Sequence, residues 1–408
     1  MNRFYYGWGL SIGIFLASVS LLFLFADLLP ESGQIRSSTT DIGVTSATSI
    51  TTRSSSPLKI FVMVGQSNMQ GHGYMNLKND KTGKFLNGTL EWMIETYPET
   101  YSKLKNYDKD SGEALSWKER DDVMIAYNRQ SIKNVRPESN QHGPLVAGFG
   151  GDNDKIGTEM GPELSFGWTV GDALKEDNNA NEDSSDKSRS EINKQTNPNI
   201  LLVKVGWGGR DLAENYRPPS SSKFKLTGLY YEAMLANVYK TLANLEDFVP
   251  GYSSDRGYEL AGFAWHQGWN DGGHEDMTAE YEYNLANLIR DVRTDLGVPD
   301  LPISIGVSGM IGWVPDYDGE NTTKIAIANT RRTDIVNAQL AVANATKYPE
   351  FEGTVASVET RDFYREKEPV SPGDEIYHWN NNCESYWLIG QAMGEAMVDL
   401  IRNKKNKK

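Results

Sequence analysis

The sequence predicts an α/β fold, a three-layer α/β/α sandwich around a central parallel sheet of about five strands. Two observations carry that expectation. Short apolar, β-branched runs recur after residue 58, and amphipathic helix patterns fall between them. Runs that are apolar on both faces suit buried parallel strands, and a chain that alternates strand with helix covers both faces of such a sheet. A third observation fits: polar, glycine-rich stretches stand where these runs end, and sites in open α/β sheets collect beyond the carboxyl ends of the strands.

The strand candidates, in order, are LKIFVMV (58–64), DVMIAYN (122–128), ILLVKVG (200–206), ELAGFAWH (259–266), LPISIGVS (301–308) and TVASVET (354–360). TAEYEYNLANLIRDVRTDLG places Tyr281, Leu285, Leu288, Ile289, Val292 and Leu296 on one helical stripe, with Gly297 as its stop. A last helix from about Glu384 puts Ile389, Ala392, Met393, Ala396, Met397 and Leu400 at i, i+3, i+4 spacing. Residues 76–121 and 129–161 are rich in Gly, Asn, Asp and aromatics and are expected to be irregular excursions that shape the site mouth. The polar, charged stretch 176–199 is expected to be a disordered surface insertion.

Composition narrows the function. The chain has 408 residues, 10 Trp and 20 Tyr, enough for a sizeable core. A net charge of −14 argues against nucleic acid and anionic polymers as partners, because phosphate binding needs a basic face. A neutral substrate or a carbohydrate fits better. Cys383 is the only cysteine, so no intrachain disulfide and no CxxC site exist. With only five histidines a His-rich metal centre is not expected, and no cofactor is implied.

Residues 1–31 read as a signal-anchor or a signal peptide. No charge falls from Phe4 to Ala26, a length sufficient to span a bilayer. With Arg3 ahead of it, a type II anchor with a lumenal or extracellular domain is favoured over a cleaved, secreted form. Residues 32–57 form a Ser/Thr-rich stalk, 58–403 the folded domain and 404–408 a basic tail. Sequons at Asn87, Asn321 and Asn344 suit that placement, and the lack of disulfides counts mildly against it.

Four stretches bear chemistry: GQSNMQG (65–71), GWGGRDL (206–212), WHQGWND (265–271) and GDEIYHWNNN (373–382). A serine nucleophile needs a base, an acceptor to orient that base, and donors for the oxyanion. Ser67 supplies a hydroxyl and, at the start of a helical turn, a backbone N–H. Gly208 or Gly209 lets a backbone N–H approach a substrate, and Asn270 can donate from its amide. His378 is the candidate base, with Glu375 three and Asp374 four positions before it as candidate orienting carboxylates. Each feature alone has a commoner explanation: Ser67 as a helix cap, the glycines and Asn270-Asp271-Gly272 as turns, His378 as a partly buried ring. Their order and their placement, each after a predicted strand or just before the final helix, distinguish them.

These stretches resemble the sequence blocks of the SGNH hydrolases, and more narrowly the sialate O-acetylesterase-like branch that includes carbohydrate esterase family 6 acetyl xylan esterases. The resemblance runs over about residues 58–402. It implies a flavodoxin-like sandwich and metal-free hydrolysis of acetyl esters on sugars. It implies Ser67 as nucleophile, His378 as base, and Ser67, Gly208 and Asn270 as the oxyanion hole. Gln66, Gln267 and Trp269 are the candidate substrate-binding residues. Two positions depart from the pattern. Trp269 stands where the carbohydrate-esterase branch has Glu, and Glu375 where the usual residue is Asp. These departures keep open a non-catalytic carbohydrate-binding relative; a lipid or thioester hydrolase of the same superfamily is the other alternative.

Overall fold

The computed structural model describes residues 56–129, 139–151, 157–181, 198–222, 225–314 and 324–406. In chain order its main strands are β1 (Leu58–Gly65), β2 (Val123–Arg129), β3 (Ser139–Pro144), β4 (Ile200–Gly206), β5 (Tyr258–His266), β6 (Ile303–Gly306) and β7 (Val355–Val358). They form one sheet in the order β7-β6-β5-β1-β4-β2-β3. All neighbours are parallel except β3, which runs antiparallel to β2.

All six predicted strands form, but the sheet has seven strands rather than about five, and it is mostly rather than wholly parallel. The added strand, SNQHGP, has no β-branched or aromatic residue and contains Gly and Pro, so no strand pattern announces it. It forms because the far side of β2 would otherwise be an unpaired edge. Without the β2–β3 pair, the remaining five strands run 2-1-3-4-5, the flavodoxin order. The order reverses at β1. The crevice of the fold therefore opens beyond Gly65, between the ends of β1 and β5.

Seven helices matter here: α1 (Ser67–Gln70), α2 (Leu90–Thr96), α3 (Glu163–Asn181), α4 (Leu229–Leu242), α5 (Glu275–Asp295), α6 (Lys324–Ala341) and α7 (Cys383–Asn406). Each β1 side chain chooses a face by the two-residue period of a strand. Ile60, Val62 and Val64 enter a core with Tyr231 and Met234 of α4, Leu285 and Ile289 of α5 and Ile335 of α6. Phe61 and Met63 enter a second core with Leu164 and Phe166 of α3 and Ile389, Met393 and Met397 of α7. The two cores make the three layers. The predicted α5 stripe is buried along its whole length, and Gly297 takes φ +68 just past the helix end.

The expected insertion at 176–199 starts later than its composition suggests. The EDNNAN stretch continues α3 to Asn181, and 182–197 lie outside the described residues. The excursion 76–121 contains α2 and a small antiparallel pair, Lys105–Tyr107 with Ala114–Trp117. Residues 1–55, with the expected anchor and most of the stalk, lie outside the described residues, as do 407–408. Among the described residues no helix is long and apolar enough to cross a membrane.

Candidate active site

The turn after β1 is built around close packing. A Cβ on Gly65 would lie 2.1 Å from the His266 carbonyl oxygen, so only glycine lets β1 and β5 end side by side. Tyr216 donates its hydroxyl to the Gly65 carbonyl at 2.7 Å. Ser67 is the first residue of α1, where the backbone N–H has no intrahelical acceptor, and its side chain retains a little exposure. Under the turn, Lys204 projects from the middle of β4 with no exposure. Its ammonium donates to Gln70 O (2.7 Å), Phe149 O (2.6 Å) and the Glu163 carboxylate (2.8 Å). A buried charge is tolerable only when paired and hydrogen-bonded in this way, and here it fixes the floor below Ser67.

Asn68 joins that turn to the histidine loop. Its Nδ2 donates to the Tyr377 carbonyl at 2.9 Å, and its Oδ1 accepts from Tyr386 Oη at 2.9 Å. So the residue after Ser67 is tied to the residue before His378. His378 Nδ1 lies 2.9 Å from Glu375 Oε2, which also accepts from Asn381 Nδ2 at 3.4 Å. With the Nδ1 proton held by the carboxylate, Nε2 is left as the acceptor. Burial pushes His378 down to about 4, the adjacent His72 adds to this, and Glu375 and Glu159 oppose it. The imidazole is neutral near pH 7, as a proton acceptor must be. Burial works against the Glu375 carboxylate, but the hydrogen bonds from His378 and Asn381 hold it below its ordinary range. Asp374 is exposed on the outer side of the loop.

The loops after β4 and β5 face each other. Gly208 is buried; Gly209, at φ +69, is exposed, and a Cβ there would stand 3.9 Å from Asn270 Nδ2. Asp271 clamps the two loops. Its buried carboxylate accepts from Leu212 N and Ala213 N at 3.0 Å and from Gln267 Nε2 at 2.6 Å. Gln267 is fully buried. Its amide also donates to Arg210 O (3.0 Å) and Gln66 Oε1 (3.3 Å), and its carbonyl accepts from Tyr281 Oη. Gln66 Oε1 accepts from Gly268 N as well, and Gln66 is 1% exposed. Both glutamines thus brace the loops from behind, and neither offers a surface to a substrate as expected. Trp269 is half-buried, with the Arg332 guanidinium 3.9 Å over its ring and Tyr377 at 6.2 Å. Trp207 and Trp379 are core residues, whereas Trp313 is exposed and donates to Asp362.

Sequence reasoning overlooked several members. Lys204 was visible as a lone charge in an apolar run, but its partner Glu163 is 41 residues away in sequence. Asp271 looks like a turn residue until its burial is seen. His72 follows the GQSNMQG block with no pattern of its own. Yet its ring stacks on His378 with centroids 4.1 Å apart. Among the described residues no group of three or more His, Cys, Asp or Glu is placed to hold a metal ion.

Residues 187–351 match the family model described as carbohydrate esterase, sialic acid-specific acetylesterase. That match shows the resemblance to which the motifs pointed. It includes Gly208, Gln267 and Asn270, while Ser67 and His378 lie outside it. Similar solved structures include a protein from Arabidopsis thaliana (16% identity, TM-score 0.47, 84% of this chain and 98% of that one). A carbohydrate acetylesterase from Xanthomonas citri is similar at 13% identity and TM-score 0.39, over 82% of this chain and 56% of that one. NanS is similar at 11% identity and TM-score 0.41, over 86% and 99%. Among curated proteins none matches the sequence.

Proposed function

We propose that this chain, with its acetylesterase-type segment at 187–351, is a carbohydrate O-acetylesterase that works through a serine acyl-enzyme. The observation that carries the reading is the His378–Glu375 pair, Nδ1 to Oε2 at 2.9 Å, tied through Asn68 to the turn that presents Ser67. In this reading Ser67 Oγ attacks the acetyl carbonyl while His378 Nε2 takes its proton. The Ser67 N–H, the Gly208 or Gly209 N–H and the Asn270 amide stabilise the oxyanion. His378 returns the proton to the leaving sugar oxygen, and water, deprotonated by the same nitrogen, releases acetate. Glu375 holds the tautomer throughout; Asp374, exposed, has no part. Trp269 offers a ring face to the sugar.

The test is acetate release from acetylated xylan, sialic acid and pectin-type substrates, with a fluorophosphonate probe in parallel. Wild type releases acetate and is labelled at Ser67. Ser67→Ala loses both, with an unchanged circular dichroism spectrum. Full activity in Ser67→Ala overturns the nucleophile assignment. Residues 1–31 are proposed to take the domain into the secretory route, where the exposed Asn87 and Asn344 are glycan acceptors. A mass shift on enzymatic deglycosylation of the protein from a eukaryotic host checks this.

A further inference from the structure

His72 has no role in the steps above, yet it touches the base. The two rings are stacked, with planes 21° apart and centroids 4.1 Å apart. His72 Nδ1 stands 3.4 Å from Glu159 Oε2, as His378 Nδ1 stands 2.9 Å from Glu375 Oε2. Two imidazoles therefore lie face to face, each with Nδ1 against its own carboxylate.

The arrangement is built by the backbone. Gly73–Tyr74 pairs antiparallel with Glu159–Met160, which sets Glu159 beside His72. Gly151, at φ +74, leaves the space Glu159 needs, since a Cβ there would lie 2.0 Å from Glu159 Oε2. The His72 carbonyl accepts from Asn381 Nδ2 at 3.1 Å, and the same amide reaches Glu375 Oε2 at 3.4 Å. One side chain thus fixes both histidine–carboxylate pairs. The charged or titratable groups facing His378 are Glu375 on its own loop, His72 on the turn after α1, and Glu159 on the strand before α3; the Tyr377 ring lies edge-on to it at 4.5 Å.

We propose that His72, held by Glu159, is a positioning residue that fixes the plane of the His378 ring and keeps that ring in its neutral, proton-accepting form. The stacked ring blocks tilting out of plane. Positive charge on one stacked ring opposes positive charge on the other. The direction of the His378 shift, in which His72 adds to burial, agrees. The proposal rests on His378 as the base of the esterase, and its test separates the two ideas.

The variants are His72→Ala and His72→Phe, each checked for its fold by circular dichroism. In His72→Ala, kcat for acetate release at pH 7.5 is expected to fall about tenfold or more with KM nearly unchanged. His72→Phe, which restores a stacked ring without a charge, is expected to recover most of that loss. In His72→Phe the acid limb of the kcat/KM profile, and the NMR titration midpoint of His378, are expected to rise by about half a pH unit or more. A His378 midpoint unchanged in His72→Phe, or a kcat unchanged in His72→Ala, overturns the proposal. The NMR titration needs no turnover, so it judges the His72–His378 pair even if Ser67→Ala shows the esterase reading to be wrong.

Discussion

At the scale of single residues, the loop that carries His378 explains a sequence detail that periodicity cannot. Trp379, Asn380 and Asn381 take φ of 55°, 53° and 58°, three left-handed residues in succession. Asparagine tolerates this region and tryptophan does not, so Trp379 is held there by its complete burial and by stacking on His266. Each asparagine amide is tied down: Asn380 to Arg365 O, Asn381 to His72 O and Asn382 to Ser371 Oγ. The WNNN run is therefore a rigid mount, the form in which backbone strain collects at functional sites. Whether Glu375 or Asp374 meets the imidazole was not legible in the sequence, because offsets of three and four both allow contact. The turn settles the geometry: Glu375 faces inward and Asp374 faces solvent. Glu375→Gln is expected to lower kcat for acetate release by roughly 10²-fold or more, because the amide can stabilise the wrong tautomer. Asp374→Asn is expected to stay within about twofold, as for a surface change. The reverse order of effects in a side-by-side kcat measurement would sink the Glu375 assignment.

At the scale of elements, the strands were legible where burial on both faces forces apolar runs, and the α5 stripe where the 3.6-residue period does. The polar strand β3 was not, since edge pairing rather than its own composition decides it. Charges inside elements are the other blind spot. Lys204 lies among Leu202, Val203 and Val205 on β4, fully buried, with Glu163 on α3 as its counter-ion and the Tyr127 ring 4.4 Å from its ammonium. Strand and helix are thereby locked together under α1. Lys204→Met should leave the Glu163 carboxylate buried and unpaired, a loss of about 3–5 kcal/mol in urea unfolding. Replacing both partners, Lys204→Met with Glu163→Leu, should restore much of that, because an apolar pair avoids the desolvation penalty of two ions. The double variant is expected to remain less active than wild type, since Gln70 O loses its donor and the floor of the Ser67 turn loosens. Equal urea midpoints for wild type and Lys204→Met would show that the pair does not hold these elements.

At the scale of the whole molecule, the site unites residues from position 67 to position 378, and only the order of strands brings them together. The blocks themselves were readable, because three follow strands and the fourth precedes the last helix, and the reversal at β1 dictates where they converge. What joins them behind the surface, through Gln66, Gln267, Asp271 and His72, needed three dimensions, since none of these has a spacing that marks it. The cost of such a buried polar centre shows in its response to acid. His266 is fully buried, with Nδ1 2.8 Å from Gly306 O, and burial pushes it down to about 4, as it does His378. Both folded values lie below the unfolded value near 6.5. Between about pH 6.5 and 4 the unfolded chain binds protons at these two histidines that the folded chain refuses, so stability falls as the pH drops through this window. Asp271 works the other way: burial pushes it up to about 7, so across the same window the folded protein holds a proton that the unfolded chain lacks. Among these three groups two losses stand against one gain, so together they weaken the folded state as the pH falls through this window. The urea midpoint is therefore expected to fall between pH 6.5 and 4.5. His378→Gln, which removes one of the two losses, is expected to flatten that fall while abolishing turnover. A wild-type midpoint that is flat or rises on acidification, or a slope unchanged in His378→Gln, would contradict the burial of a neutral His378 on which the proposed chemistry depends.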